Sequence, residues 1–186
     1  DLKANLWVNH AEIPNNNIDD DENGYIDDYR GWNVRRRNDD ISEDASHGTE
    51  VAGFIGAVGN NNYGVSGVNW KVKIMGVFGG YNSGTEDIII QAYNYPFIQR
   101  RLYNQSGGKK GAFVVATNAS WGIPRATPVE YPIWCSFFDS LGYQGIMNVC
   151  ATHNEPRDVD AIGDMPGSCG SPYIINVTSM SRTGTT

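Results

Sequence analysis

The chain has 186 residues, 40% of them hydrophobic and 19% charged, which favours one domain with a sizeable core. Its net charge of −7 and its pI near 4.8 argue against nucleic acid as a partner, because phosphate binding requires a basic face. No apolar run is long enough to span a membrane, and the start at Asp1 without a methionine or an apolar leader predicts a mature or trimmed piece whose signal peptide is gone.

Oxygen-bearing side chains alternate along the first acidic segment. The alternating positions are Asp19, Asp21, Asn23, Tyr25 and Asp27. Gly24 stands where a calcium loop turns sharply, but Arg30 replaces the glutamate that closes an EF-hand, so a true EF-hand is not expected. The alternative is a solvated acidic turn. Carboxylates this close together repel each other unless a cation neutralises them, and this repulsion favours Ca2+.

A helix is predicted to begin near His47. Apolar residues at 51, 54, 55 and 58 fall on one face of a 3.6-residue period. Gly53 and Gly56 would keep this helix thin enough for close packing against a sheet. A histidine held at the mouth of such a helix can accept a proton at neutral pH. The alternative is a histidine with a purely structural role.

The remaining elements alternate between strands and helices. Strands are predicted at 72–78, 113–117, 146–151 and 173–177. One helix is capped by Thr85, interrupted at Pro96 and ended at Gly107. A second is opened by a capping box at 127–130 and closed by Gly142. This alternation predicts an α/β fold of three layers, a mostly parallel sheet with helices on both faces.

Three cysteines leave their pairing open. Cys135 on a helix pattern and Cys150 on a strand pattern are interpreted as buried thiols. A pair with Cys169 is possible, and the sequence does not choose it. Cys150 lies close in sequence to His153, but its apolar neighbours indicate a core strand and not a cysteine nucleophile.

Several motifs, in the correct order, resemble those of the subtilisin-like serine proteases. The segment His47-Gly48-Thr49-Glu50-Val51-Ala52-Gly53 is similar to the family's His-Gly-Thr-His-Val-Ala-Gly motif. The segment Asn118-Ala119-Ser120-Trp121-Gly122 resembles its Asn-Asn-Ser-Trp-Gly strand end, and 150–154 stands where the family has Ala-Ala-Ala-Gly-Asn. The acidic stretch 17–28 is also similar to one that such relatives carry, and they commonly bind structural calcium.

The resemblance implies a role for each matching residue. His47 is the expected general base, and Asn154 is the expected side-chain donor to the oxyanion. Ser120, Trp121 and Gly122 form the expected strand that pairs with a polypeptide substrate. Residues 1–186 are interpreted as part of one peptidase domain, in which 1–46 hold the calcium-like loop and its connection. Residues 47–186 hold the histidine helix, the central strands and the oxyanion region.

Two catalytic residues of the family have no match here. The strand that carries the family's aspartate is expected before Asp1, and Asp44 lacks such a strand. Ser179 is rejected as the nucleophile because Val177 precedes its Thr-Ser-Met where the family has glycine. The chain is therefore interpreted as the central fragment of a secreted or cell-envelope endopeptidase. Its expected partners are a polypeptide substrate and the remaining segments of the same protease, and the fragment alone is expected to be inactive. Glu50, Ile123 and His153 depart from the family pattern.

Two other interpretations use the same residues differently. A non-catalytic secreted module, stabilised by calcium on a protease scaffold, would bind a polypeptide or a partner surface. A calcium-dependent adhesion domain would account for the acidic loop but not for the region around His47.

Overall fold

A computed structural model describes residues 1–42, 46–79 and 85–184. Helices alternate with short sheets that are mostly parallel, which confirms the predicted α/β class. The chain divides into two compact units, Asp1–Ser83 and Gly84–Thr186. Within the described ranges, no helix combines the length and the apolar character that crossing a bilayer requires. Asp44, which the sequence offered as a weak aspartate candidate, lies outside the described residues.

The first unit contains one helix and two short strands. A 3-10 turn at Lys3–Asn5 precedes β1 (Gly31–Asn33), α1 (Ser46–Gly56) and β2 (Gly76–Phe78). The strands β1 and β2 pair in parallel, and Leu6 forms an isolated parallel bridge with Ile74. The strand predicted at 72–78 is therefore shorter than expected, although its end is placed correctly.

Helix α1 begins at the expected position but buries a different face. Phe54, assigned to the buried stripe, is 72% exposed, whereas Gly53 and Gly56 are buried. A side chain at Gly56 would collide with the side chain of Val72. The glycines therefore allow the close approach that the sequence indicated, but the chain at 65–74 packs against them, and the larger apolar side chain points outward.

The second unit holds a three-stranded parallel sheet. Its strands are β3 (Ala116–Ala119), β5 (Met147–Ala151) and β7 (Ile174–Val177), in the spatial order β3-β5-β7. Between them along the chain lie a short antiparallel pair, β4 (Ile123–Pro124) with β6 (Asp164–Met165), and the one-turn helix α4 (Val159–Ile162). The parallel order confirms the central prediction, although β3 begins three residues later than the predicted strand at 113–117.

Two longer helices, α2 (Glu86–Ser106) and α3 (Pro132–Tyr143), supply the apolar core of this unit. The core side chains are Ile89, Tyr93, Ala119, Ala126, Trp134, Phe138, Leu141, Ile146, Cys150, Met165 and Cys169. Tyr93 on α2 meets Phe138 on α3 edge to face at 5.2 Å between ring centroids. Each large apolar side chain buried in this way stabilises the fold by about 1.5–3 kcal/mol.

One predicted helix interruption and two predicted helix boundaries differ from the structure. Pro96 lies inside α2 and does not interrupt it, and Gly107 ends the helix in the left-handed region as expected. The capping-box contact exists, because Glu130 accepts hydrogen bonds from the backbone and the hydroxyl of Thr127. It closes a turn before α3, however, and α3 itself begins at Pro132 and runs one residue past Gly142.

The cysteines are used in two ways. Cys150 is a buried free thiol on β5, as its strand pattern predicted. Cys135 is not a thiol, which corrects the interpretation from its helix pattern. It forms a disulfide with Cys169 and so links α3 to the chain that follows β6.

Candidate active site

The predicted substrate strand and the predicted oxyanion donor belong to neighbouring strand ends. The strands β3 and β5 run in parallel, with Ala119 opposite Cys150. Ser120 directly follows β3, and Asn154 lies three residues beyond the end of β5. The carboxyl ends of parallel strands are where α/β sheets bind ligands. The second unit therefore brings residues 120–122 and Asn154 to one edge of the sheet.

An aromatic stack supports the strand end. Trp121 is 44% exposed, and its ring stacks on that of the fully buried Trp134 at 5.5 Å with an interplanar angle of 18°. The ring of Tyr131 meets that of Trp134 edge to face, at 5.9 Å between ring centroids. The core of the unit thus holds one face of Trp121 and leaves part of its ring available as an aromatic wall beside Ser120 and Gly122.

The loop that carries Asn154 is tied to the sheet at its start. The backbone N–H of Thr152 donates to the carbonyl of Val177 at 3.0 Å. Nδ1 of His153 accepts the N–H of Glu155 at 3.0 Å, across Asn154, which is itself exposed. An exposed amide on a loop anchored in this way can donate to a charge that develops at the sheet edge.

A buried carboxylate lies under the same edge. Asp164 on β6 is 4% exposed and pairs with Pro124 on β4, two residues beyond Gly122. Its Oδ1 lies 3.8 Å from the position that a Cβ would take at Gly122. Burial raises the pKa of Asp164, although a hydrogen bond from the backbone of His153 and the nearby imidazole act in the opposite direction.

His47 lies in the first turn of α1 and is exposed. The other end of this helix is fixed by the buried Asn5, whose Nδ2 donates to the carbonyls of Gly56 at 2.7 Å and of Trp70 at 3.0 Å. His47 belongs to the first unit and Asn154 to the second. The role of His47 as the general base stays a prediction.

The acidic segment folds around three buried carboxylates. Glu12, Asp21 and Asp28 offer oxygen atoms that all lie within 4.8 Å of one another. Nδ2 of Asn9 donates to Asp21 at 2.9 Å and to Asp28 at 2.8 Å, and Nδ2 of Asn23 donates to Asp28 at 2.9 Å. Burial raises the pKa of both Glu12 and Asp21. A divalent cation with oxygen ligands fits such a set.

The other residues of the predicted calcium set build the loop around these three. Asp19 accepts the N–H groups of Asn23 at 3.0 Å and Gly24 at 2.8 Å, and Gly24 adopts a φ of +94° at the expected turn. Asp27 accepts two further N–H groups, from residues 16 and 17, at 3.0 Å each. Oδ1 of Asn23 accepts the N–H of Tyr25 at 2.7 Å.

With this geometry in place, comparison with known proteins decides the family. The model of the subtilase family, Peptidase S8, matches residues 2–184. The chain belongs to the subtilase family.

Individual relatives of this subtilase match over shorter segments. Subtilisin-like protease 1 of Plasmodium berghei is 46% identical over 76 residues, which cover 40% of the chain and 13% of the relative. Its namesake in Plasmodium falciparum is 42% identical over 76 residues, 40% of the chain and 11% of the relative. The cell wall-associated protease of Bacillus subtilis is 45% identical over 47 residues, 25% of the chain and 5% of the relative. The matches thus span a small part of each relative.

Sequence reasoning missed two buried acids of this subtilase and gave a third only a minor place. Glu12 lies outside the alternating pattern of 19–27, yet its carboxylate accepts the N–H groups of Asp20, Asp21 and Asp27. Asp28 ends the acidic stretch 17–28 but lies outside the predicted ligand set. Asp164 stands between a helix end and a proline with no periodic pattern around it. The three acids share burial, which only the fold reveals.

Proposed function

We propose that this subtilase chain is the central part of the catalytic domain of a serine endopeptidase, which hydrolyses peptide bonds through an acyl-enzyme. One observation carries the proposal: the family match over residues 2–184 includes residues 120–122 and Asn154, which follow the adjacent parallel strands β3 and β5. Membership of a family of proteases supports serine peptidase chemistry. In this proposal the family's aspartate and serine come from segments outside the 186 residues.

Each residue has a defined task in that reaction. His47 accepts the proton of the serine hydroxyl as the oxygen attacks the scissile carbonyl, and later returns it to the leaving amine. The side-chain N–H of Asn154 donates to the oxyanion of the tetrahedral intermediate. Residues 120–122 pair with the substrate backbone as an added strand, and Trp121 forms an apolar wall beside it.

We further propose that Glu12, Asp21 and Asp28 bind a structural Ca2+, with Asp19, Asn23, Tyr25 and Asp27 of the predicted set shaping or completing its shell. The donors fit the ion, because they are hard oxygen atoms, buried, and close enough to share one cation. Bound Ca2+ supplies positive charge that offsets their mutual repulsion and so rigidifies the segment. It has no part in the proposed hydrolysis.

The proposed location is outside the cytoplasm, either secreted or in the cell envelope. The disulfide between Cys135 and Cys169 supports an oxidising compartment. One relative is named as a cell wall-associated protease. A second candidate function is a non-catalytic, calcium-stabilised binding module. It is favoured by Glu50 and His153, which replace the residues usual in the family beside the base and the oxyanion donor.

The decisive experiment uses the complete protease in which this chain lies. Purified wild type should hydrolyse a quenched fluorescent peptide and react with a serine-directed phosphonate. His47→Ala should lower kcat by about 10⁶-fold, the magnitude known from subtilisin itself, because no other group then accepts the serine proton.

The matched control is His10→Ala, which removes another exposed histidine of the first unit and should leave turnover unchanged. Full turnover in His47→Ala would remove His47 from the mechanism. A complete protein that cleaves no peptide in a mixed library and takes up no phosphonate would favour the binding module.

A further inference from the structure

Asn23 and Gly24 form the single Asn-Gly pair of the sequence. In such a pair the backbone nitrogen of the glycine can attack Cγ of the asparagine, because no Cβ on the glycine hinders the approach. The new N–Cγ bond closes a succinimide ring while the bond from Cγ to Nδ2 breaks, and ammonia leaves with the proton of the backbone nitrogen. Water then opens the ring to aspartate or isoaspartate. The acidic segment therefore contains a site for a covalent change.

The closed loop restrains each group that takes part in this reaction. The N–H of Gly24, which must lose its proton, donates to Oδ2 of Asp19 at 2.8 Å. Nδ2 of Asn23, which must leave as ammonia, donates to Oδ2 of Asp28 at 2.9 Å. Oδ1 of Asn23 accepts the N–H of Tyr25 at 2.7 Å, and the residue is 8% exposed, so water has little access to it. Ring closure and hydrolysis therefore require the loop to open.

The charges around Asn23 link this opening to a cation. Oxygen atoms of Glu12, Asp21 and Asp28 lie within 4.8 Å of one another, and their repulsion favours the open loop. Amide groups of Asn9 and Asn23 offset part of the repulsion, and bound Ca2+ would offset more. Local opening is an equilibrium, and an ion that binds only the closed loop lowers the open fraction by mass action.

We propose that Asn23 is a modification site, which deamidates when the acidic segment opens and is protected when Ca2+ holds the segment closed. The inference rests on the proposed Ca2+ site and goes beyond it, because it makes a prolonged loss of the cation irreversible. In the aspartate product, an oxygen replaces the amide nitrogen that donates to Asp28. In the isoaspartate product, the main chain gains a methylene group at the turn. Neither product restores the hydrogen bonds of the closed loop.

The test follows Asn23 by mass spectrometry of peptides from the complete protease. A His47→Ala background prevents self-digestion during incubation at pH 8, either with a chelator or with Ca2+ at 100 times its dissociation constant. The rate at which Asn23 becomes aspartate and isoaspartate should be about 100-fold lower with Ca2+, because the open fraction falls by that factor. This measurement does not depend on protease activity.

Asn17 is the internal control, since it is an exposed asparagine of the same segment that precedes Ile18. The branched side chain of Ile18 hinders attack by its own backbone nitrogen. Asn17 should therefore stay unmodified under both conditions. Asn23→Gln should abolish the modification at position 23, because its longer side chain does not close the same five-membered ring.

Three results would overturn the inference, and they separate it from the Ca2+ site on which it rests. Equal rates with and without Ca2+, in a protein whose melting temperature Ca2+ raises, would remove the inference and leave the Ca2+ site in place. Equal rates without a rise in melting temperature would remove both. An Asn23 that stays unmodified in chelator, while a synthetic peptide of residues 19–28 is converted, would exclude it as a modification site.

Discussion

The thiol of Cys150 shows how the position of one residue decides its chemistry. It lies on the central strand β5, is 1% exposed, and burial raises its pKa to about 12. At pH 8 only about one such thiol in 10⁴ is ionised, and the thiolate is the reactive form. We therefore expect no reaction between the native protein and an aromatic disulfide reagent over one hour at pH 8. In denaturant, the same protein should release one equivalent of the reagent's aromatic thiolate.

Cys150→Ala identifies the reacting group, because this variant should release no equivalent in denaturant as long as the disulfide between Cys135 and Cys169 is intact. Rapid reaction of the native wild type would mean that Cys150 is exposed and would reopen the possibility of a reactive cysteine beside His153. The expected absence of reaction instead means that Cys150 is not the nucleophile, which must then be another residue of the protease.

Single residues differ in how far the sequence can foresee their roles. The burial of Cys150 was predictable, because Ile146, Met147 and Val149 give its strand a mainly apolar pattern. The pairing of Cys135 with Cys169 was not, because it depends on how the chain after β6 returns to α3. Asp164 gave no signal for the same reason. Its position under residues 120–122 arises from the two-residue pairing of β4 with β6, which is too short to leave a pattern.

Among the elements, the acidic segment 9–28 has the clearest dependence on a ligand. If Ca2+ binds Glu12, Asp21 and Asp28, a concentration 100 times the dissociation constant stabilises the folded state by about 2.7 kcal/mol. For a chain of this size, we expect the melting temperature to rise by roughly 5–10 °C. Glu12→Gln should abolish most of this rise in melting temperature, because it removes one of the three carboxylates. Differential scanning calorimetry with and without Ca2+ measures the effect.

Glu22→Gln is the suitable control for that measurement, since it makes the same charge change in the same segment at an exposed position outside the cluster. It should keep the full rise in melting temperature. An equal loss in both variants would show that the segment responds to overall charge, and no rise in wild type would remove the cation from the proposal.

The elements that the sequence placed best are those with both a periodic pattern and a terminal signal. The end of α2 at Gly107 is an example, whereas α1 begins at the expected position but buries a different face from the predicted one. The predicted interruption at Pro96 is wrong, because a local helix propensity does not include packing. The helix around Pro96 packs against α3, and these tertiary contacts outweigh one missing backbone hydrogen bond. The capping box at 127–130 was misplaced because the same side-chain contact also closes an isolated turn.

For the whole molecule, the order of strands and helices was enough to predict an α/β fold with ligand residues at the carboxyl ends of strands. Ser120 and Asn154 lie at such ends in the second unit. The buried acids Glu12 and Asp164 could not be found in this way, because each is placed by long-range pairing and not by its neighbours. The sequence therefore predicts the strand ends of the candidate site better than it predicts the buried carboxylates.

The amide of Asn154 provides a test that involves the entire catalytic assembly. Asn154→Ala in the complete protease should lower kcat by about 10²–10³-fold, the magnitude known from subtilisin, and leave KM nearly unchanged. The split follows from the proposed mechanism, in which the N–H donates to an oxyanion that carries its charge only at the transition state.

Asn61→Ala is the control for this measurement, since it removes an exposed loop asparagine whose side chain accepts only the N–H of Tyr63 among the contacts described for it. Its steady-state kinetics should match those of wild type. A rise in KM at constant kcat in Asn154→Ala would assign the amide to substrate binding. The oxyanion would then need another donor, and the exposed loop after β5 would be a recognition surface more than a catalytic one.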